Sequence, residues 1–107
     1  MRIHMSSTDK LDSKLFYQHI VEFARDVGIS GATVHRGIMG FGASSKIHSS
    51  KFWELTEKLP VIVELVDRSE ILEQFYSEIQ EDLLRMPKGC LVTLHPINVL
   101  LQKKGGT

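Results

Sequence analysis

The run Pro60-Val61-Ile62-Val63-Glu64-Leu65-Val66 restricts the fold more than any other stretch of the chain. β-branched side chains at this density suit a pleated surface and crowd a helix, so the run predicts a well-buried central strand. A strand in the middle of a sheet obliges the remaining apolar segments to supply its neighbours and its cover.

Two segments have the helical period needed for cover. Phe16, Ile20, Phe23, Ala24 and Val27 form one apolar stripe. Asp12 is placed to cap this helix, with Leu11 and Phe16 at the spacing of a hydrophobic staple. Gly28 is placed to end it as a left-handed C′ residue, with Ile29 folding back on the last turn. Ile71, Leu72, Phe75, Tyr76, Ile79 and Leu83 form the second stripe, with Asp67 as the expected cap, Glu70 at the reciprocal capping-box position, and Pro87 and Gly89 closing the region.

Three further segments read as strands: Arg2–Met5, with Ile3 and His4 on opposite faces, Ala32–Met39, and an extended stretch from Leu91 to Leu101 that Pro96 interrupts. In Ala32–Met39 the alternation puts Arg36 on the apolar side, which predicts a bulge at Arg36-Gly37 that turns it outward. The order strand, helix, strand, strand, helix, strand is the split βαβ pattern: an α+β, ferredoxin-like βαββαβ sandwich whose antiparallel sheet carries both helices on one face. The other face is left bare, with Ile62, Val66 and Val99 as candidates to lie there. Self-association is the simplest way to cover such a face.

At 107 residues the chain is expected to be a single domain, 1–107, with a flexible loop at about 43–58 and a loose tail at 103–107. Thirteen basic residues balance thirteen acidic ones, so no net field favours nucleic acid or an anionic membrane. Cys90 is the only cysteine, which excludes an intramolecular disulfide and a cysteine-cluster zinc site. It reads as a small buried hydrophobe. No apolar run reaches the ~20 residues of a membrane-spanning helix, and the first residues lack the apolar core of a secretory signal, so a cytoplasmic protein is expected. No Ser-His-Asp, Cys-His or paired-carboxylate constellation is readable, so the chain is not expected to be an enzyme.

The stretch from Gly31 to Trp53 departs from ordinary strand chemistry. Gly37, Gly40 and Gly42 fall within six residues, and glycine in or beside a strand marks a bulge, a bend or a close approach of another group to the backbone. Gly42 to Lys58 is long for a connection in a small domain, and connections of that length are often functional.

These residues resemble the P-II signal-transduction proteins, through Gly28–Val34, Gly40-Phe41-Gly42 and Leu59–Val66. Nearly the whole chain is similar to the small P-II-like family catalogued as domain of unknown function 190, through Asp9-Lys10 and the run Gly31 to His48. The resemblance implies a homotrimer with sheet faces meeting at the three-fold axis. It also implies a regulatory ligand, an adenine nucleotide, in clefts between subunits, and an unknown protein partner docked by the loop after the second strand. It places Gly40, Phe41 and Gly42 at the loop base.

There are departures from the P-II pattern. Ala43-Ser44 stands where P-II proteins have Arg-Gln, which removes the glutamine used for 2-oxoglutarate. One extra residue lies between Thr33 and Gly40. Lys88-Gly89-Cys90-Leu91 replaces the Gly-Asp-Gly-Lys turn with its lysine displaced, and Gln102 and Lys104 stand roughly where Arg-x-Arg is expected.

Arg36, Gly40, Phe41, Gly42, Ala43, Ser44, Ser45, Lys88, Gly89 and Lys104 are the ligand-binding candidates. The backbone amides and hydroxyls would cradle a phosphate and the cations would balance it; the competing reading of Gly40–Ser45 is a plain hinge. Lys46, His48, Phe52 and Trp53 are the partner-loop candidates, with Trp53 equally suited to pin the loop by packing. The alternative function is a trimeric metal-binding or metal-tolerance protein using His35, His48 or His95, although no two of the five histidines have HxH or HxxxH spacing. His19 reads as structural. Glu64, alone in an apolar strand, reads either as solvent-facing or as paired with Arg36 or His35 of a neighbouring chain.

Overall fold

A computed structural model describes residues 1–42, 47–49 and 58–106, with the backbone alone for His48 and Ser49. Strands β1 (Arg2–Ser6), β4 (Gly31–Arg36), β7 (Pro60–Val66) and β8 (Leu91–Thr93) form one antiparallel sheet in the order β4-β7-β1-β8. Helices α1 (Phe16–Val27) and α2 (Ser69–Arg85) supply its cover. Two short hairpins sit outside the sheet: β2 (Lys10–Leu11) with β3 (Lys14–Leu15), and β5 (Met39–Gly40) with β6 (His48–Ser49). This is the expected ferredoxin-like arrangement, with the dense run Pro60–Val66 flanked on both sides.

Burial shows how one-sided the sheet is. Along β7, Val61, Val63 and Leu65 are fully buried, and Ile62, Glu64 and Val66 between them are only half-buried. Ile3 and Met5 of β1 share the inner face. Phe16, Ile20 and Ala24 from α1 and Leu72, Phe75, Ile79 and Leu83 from α2 complete the core. Phe23 and Phe75 join the two helices, with ring centroids 5.5 Å apart. The β-branched run therefore follows the alternation of a strand with one clad face rather than two.

Gly28 ends α1 as expected, at φ 89°, with its N–H on the carbonyls of Ala24 and Arg25, and Ile29 returns an N–H to Ala24 O at 2.9 Å. The start of α1 differs from expectation. Asp12 and Ser13 adopt positive φ (51° and 71°) in the β2–β3 turn, and the helix begins only at Phe16. Aspartate tolerates the left-handed region well enough to serve a hairpin turn, and here that use displaces the capping use.

Asp67 is likewise diverted from capping α2. Its carboxylate accepts the N–H groups of Ser30 (2.9 Å) and Arg68 (2.7 Å), tying the α1–β4 turn to the end of β7. Arg68 stands at the N-cap with no side-chain capping hydrogen bond, and the reciprocal box through Glu70 does not form.

The second expected strand stops early. The ladder holds register to Arg36 opposite Val61 and ends with Gly37 N–H on Pro60 O at 2.7 Å, so the strand breaks at Gly37-Ile38 instead of bulging. Arg36 keeps its place on the Val34 side and reaches solvent because β4 is an edge strand. β8 is shorter still. Beyond Thr93 the chain has no regular structure through Gly106, and Val99 is exposed rather than packed on the open face. Cys90 is exposed, not buried as expected, because it lies in the turn before β8. Its thiol pKa is raised by partial desolvation and by the charge of Asp9.

Candidate functional site

Two of the three clustered glycines have a packing reason. A Cβ on Gly37 would stand 2.8 Å from Pro60 Cγ, and one on Gly40 would stand 3.3 Å from it. The proline ring that opens β7 fills the space side chains would need. Gly42 is different: a Cβ there would meet no described atom within 4 Å. Among the described residues nothing in the packing demands its lack of a side chain. Phe41 beside it is 71% exposed.

Register places the other candidates. His35, Ile62, His4 and Leu91 form one row across all four strands, so Arg36 and the turn carrying Lys88 and Gly89 lie at the same end of the sheet. They lie on opposite edges, however, three strand spacings or about 14 Å apart. Lys104 makes no hydrogen bond with either and lies in the irregular segment after β8. The segment that carries it leaves β8 at the other end, where His95 and Ile97 line a cavity of about 280 Å³ with Met1 and Asp67. Arg36, Lys88 and Lys104 form no ion pair with a described residue, whereas Arg2, Arg25, Arg68 and Arg85 all do. Ala43, Ser44, Ser45, Lys46, Phe52 and Trp53 lie outside the described residues, as does the His48 side chain.

The same end is organised by Asp9, the one buried charged residue among those described. Its Oδ2 accepts Ser6 N–H at 3.0 Å and its carbonyl accepts Phe16 N–H at 2.8 Å. A short polar turn and the first residue of α1 are fixed by one side chain and its own backbone.

On the bare face the structure shows a cluster that the sequence did not reveal. Thr33, Glu64, Arg2 and Thr93 occupy one row across the sheet. Glu64 accepts Arg2 Nε at 3.0 Å and lies 3.6 Å from His35 Nε2, and His95 Nε2 is 2.7 Å from Thr93 Oγ1. Glu64 is thus on the outer face as the solvent-facing reading has it, and its partners, Arg2 and His35, come from its own chain rather than from a neighbouring one. Arg2 alternates with buried Ile3 just as Glu64 does with Val63 and Leu65, so each could be assigned to the outer face, but their pairing needed the β1–β7 register.

The hydrogen bond from Arg2 lowers the Glu64 pKa below its ordinary 4.5 despite some desolvation, with His35 adding to the effect. A lowered folded pKa stabilises above the unfolded value and is lost as pH falls through the folded one. Chemical denaturation across pH 6 to 3 should therefore show stability declining below about pH 4.5, and Glu64→Gln should flatten that decline. An identical pH profile for the variant would refute a contribution from this pair.

His19 stacks on Phe23 at 6.3 Å and 3° and lies 4.0 Å from Asp82 of α2, a structural placement. Among the described residues no three His, Cys, Asp or Glu side chains converge as a metal set, and no helix is long and apolar enough to cross a membrane.

Comparison with known proteins bears on the whole chain. Residues 1–99 match the family described as DUF190, Uncharacterized ACR. A UPF0166 protein of Aquifex aeolicus is 34% identical over 100 residues, covering 94% of this chain and 90% of that protein. A UPF0166 protein of Methanocaldococcus jannaschii is 34% identical over 96 residues, covering 86% and 88%. A second Aquifex aeolicus UPF0166 protein is 34% identical over 102 residues, covering 92% and 93%.

Proposed function

The chain belongs to the P-II-like DUF190 family, and from that premise we propose that it is a regulatory rather than a catalytic protein. It takes an adenine nucleotide or a related phosphate anion in clefts between the subunits of a homotrimer. The observation that carries this reading is the division of the unpaired cations. Arg36 stands on one edge of the sheet and Lys88 on the other, at the same end. One phosphate group cannot span about 14 Å, but edges of two adjacent copies would bring an Arg36 and a Lys88 together. Gly42, which meets no described atom that would exclude a side chain, would supply backbone N–H beside them.

The same end supports a docking role. Ile38, Met39, Phe41 and Ile47 are 77, 61, 71 and 63% exposed around the β5–β6 hairpin, a concentration of apolar surface suited to a protein partner. Residues 43–57 depart from Gly42 and return at Lys58. A ligand seated at Gly40–Gly42 therefore occupies their root, and its differential affinity for one arrangement selects how the partner is met.

The test is a thermal-shift screen with ATP, ADP, AMP, cyclic nucleotides and divalent metals, run beside light scattering. A ligand of the folded state adds about 2.7 kcal/mol at a hundredfold excess over its dissociation constant. The expected result is a nucleotide-specific rise on a trimer, lost in Arg36→Ala. No shift with any nucleotide would refute the ligand assignment. A shift with metals alone would transfer it to the histidines.

A further inference from the structure

We propose that the cavity where β7 gives way to α2 is a second ligand site, which takes a free apolar α-amino acid as its zwitterion. The cavity measures about 280 Å³, just under the range of about 300–1,000 Å³ typical of ligand pockets, so its occupant is small. Buried Leu65 and Leu72 give it an apolar floor, and Arg2, Glu64 and Asp67 give it charge. Arg2 commits its Nε to Glu64 at 3.0 Å, and its two terminal nitrogens donate to no described residue. They are the open part of a guanidinium fork, which suits a carboxylate. Asp67 is held by the N–H groups of Ser30 and Arg68, at 2.9 and 2.7 Å, and forms no ion pair with a described residue. A carboxylate met only by neutral N–H groups attracts an ammonium.

One molecule answers both groups only if it carries both charges. A simple anion would be repelled by Glu64 and Asp67, and a simple amine would leave the Arg2 fork unmet. Spacing narrows the choice further. Arg2 is level with Glu64 in the sheet, and Asp67 lies three residues beyond Glu64, about 10 Å along the strand direction. A charge-assisted hydrogen bond of about 2.8 Å at each end leaves room for a carboxylate and an ammonium on one shared carbon. The remaining substituent on that carbon faces Leu65 and Leu72, which favour an apolar side chain. Every lining residue is described, and the cavity is at the far end of β7 from Pro60, about 20 Å away. The site is complete in one chain, so it rests neither on the trimer nor on the nucleotide cleft.

Titration calorimetry of the full chain with leucine, isoleucine, valine and methionine tests the site, with isocaproate and isoamylamine as the forms of leucine that lack the amine and the carboxylate. At least one of the amino acids should bind, and neither leucine analogue should. Arg2→Gln and Asp67→Asn should each weaken binding about tenfold or more. Val66→Phe, which fills the cavity from the half-buried side of β7, should abolish it, with far-UV circular dichroism to verify folding. Amide NMR of the unaltered chain gives a readout free of substitutions: the shifts caused by the amino acid should centre on Leu65–Arg68. Binding by none of the amino acids overturns the proposal. So does binding of isocaproate or isoamylamine as tight as that of leucine, binding that survives Val66→Phe, or amide shifts centred elsewhere. The nucleotide response assigned to Arg36 should be untouched by Arg2→Gln, so the two sites fail separately.

Discussion

Phe75→Ala lowers the free energy of unfolding by about 3–5 kcal/mol. Phe75 is 2% exposed and meets Phe23 of α1 at 5.5 Å, so removing the ring opens a void between the two helices and the sheet they cover. Neighbours collapse only partly into such a space, and the loss exceeds the transfer energy of the ring. A domain of this size has a total stability of about 5–15 kcal/mol, so the variant sits near its limit and its melting point should drop by 10 °C or more, roughly. Phe75→Leu keeps most of the volume and should cost about 1.5 kcal/mol or less. Denaturant titration at one fixed protein concentration separates the two, since self-association would make the midpoint depend on concentration. A cost below about 1 kcal/mol for the alanine variant would mean that the helices are not joined through this ring.

Gly37→Val and Gly42→Val should differ sharply although they are five residues apart. At Gly37 the added Cβ arrives 2.8 Å from Pro60 Cγ, and the Gly37 N–H to Pro60 O bond holds the two segments at that spacing. The proline ring has little freedom to retreat, so either the bond lengthens or β7 shifts at its first residue. A destabilisation of about 1–3 kcal/mol is expected, as for other overpacked sites. At Gly42 the new side chain meets no described atom, and stability should change by about 0.5 kcal/mol or less. If the proposed cleft is correct, Gly42→Val instead abolishes the nucleotide-dependent thermal shift. Equal destabilisation by both variants would contradict the packing distinction, and an unaltered nucleotide response in Gly42→Val would remove Gly42 from the site.

These two glycines show how much the sequence disclosed. Their density was visible, and it correctly signalled a backbone under constraint, but composition could not separate a glycine required by a proline ring 23 residues along from one with no such neighbour. Helix stripes were legible because burial repeats every three or four residues: Phe16, Ile20 and Ala24, and Leu72, Phe75, Ile79 and Leu83, all reach the core. Caps were less legible, because Asp12 and Asp67 have several uses for one carboxylate and tertiary contacts decided between them. The Arg2–Glu64–His35 cluster was invisible for the same reason. Its members lie on three strands, and only the register aligns them. The stretch after Thr93 read as a strand from its pattern, but among the described residues it pairs with no other strand.

The sheet order has a consequence for how the chain reaches this state. β1 is made first, yet its two neighbours are β7 and β8, some 60 and 90 residues later. At synthesis rates of about 5–20 residues per second, the central strand waits roughly 3–12 s for its first partner and longer for its second. The β2–β3 hairpin and α1 can form from local contacts in that interval, and α1 carries Phe16, Ile20 and Ala24 to shelter one side of a strand whose edges are still unmet. The earliest element made is thus among the last to be satisfied, and closure of loops this long is a slow kind of folding for so small a domain.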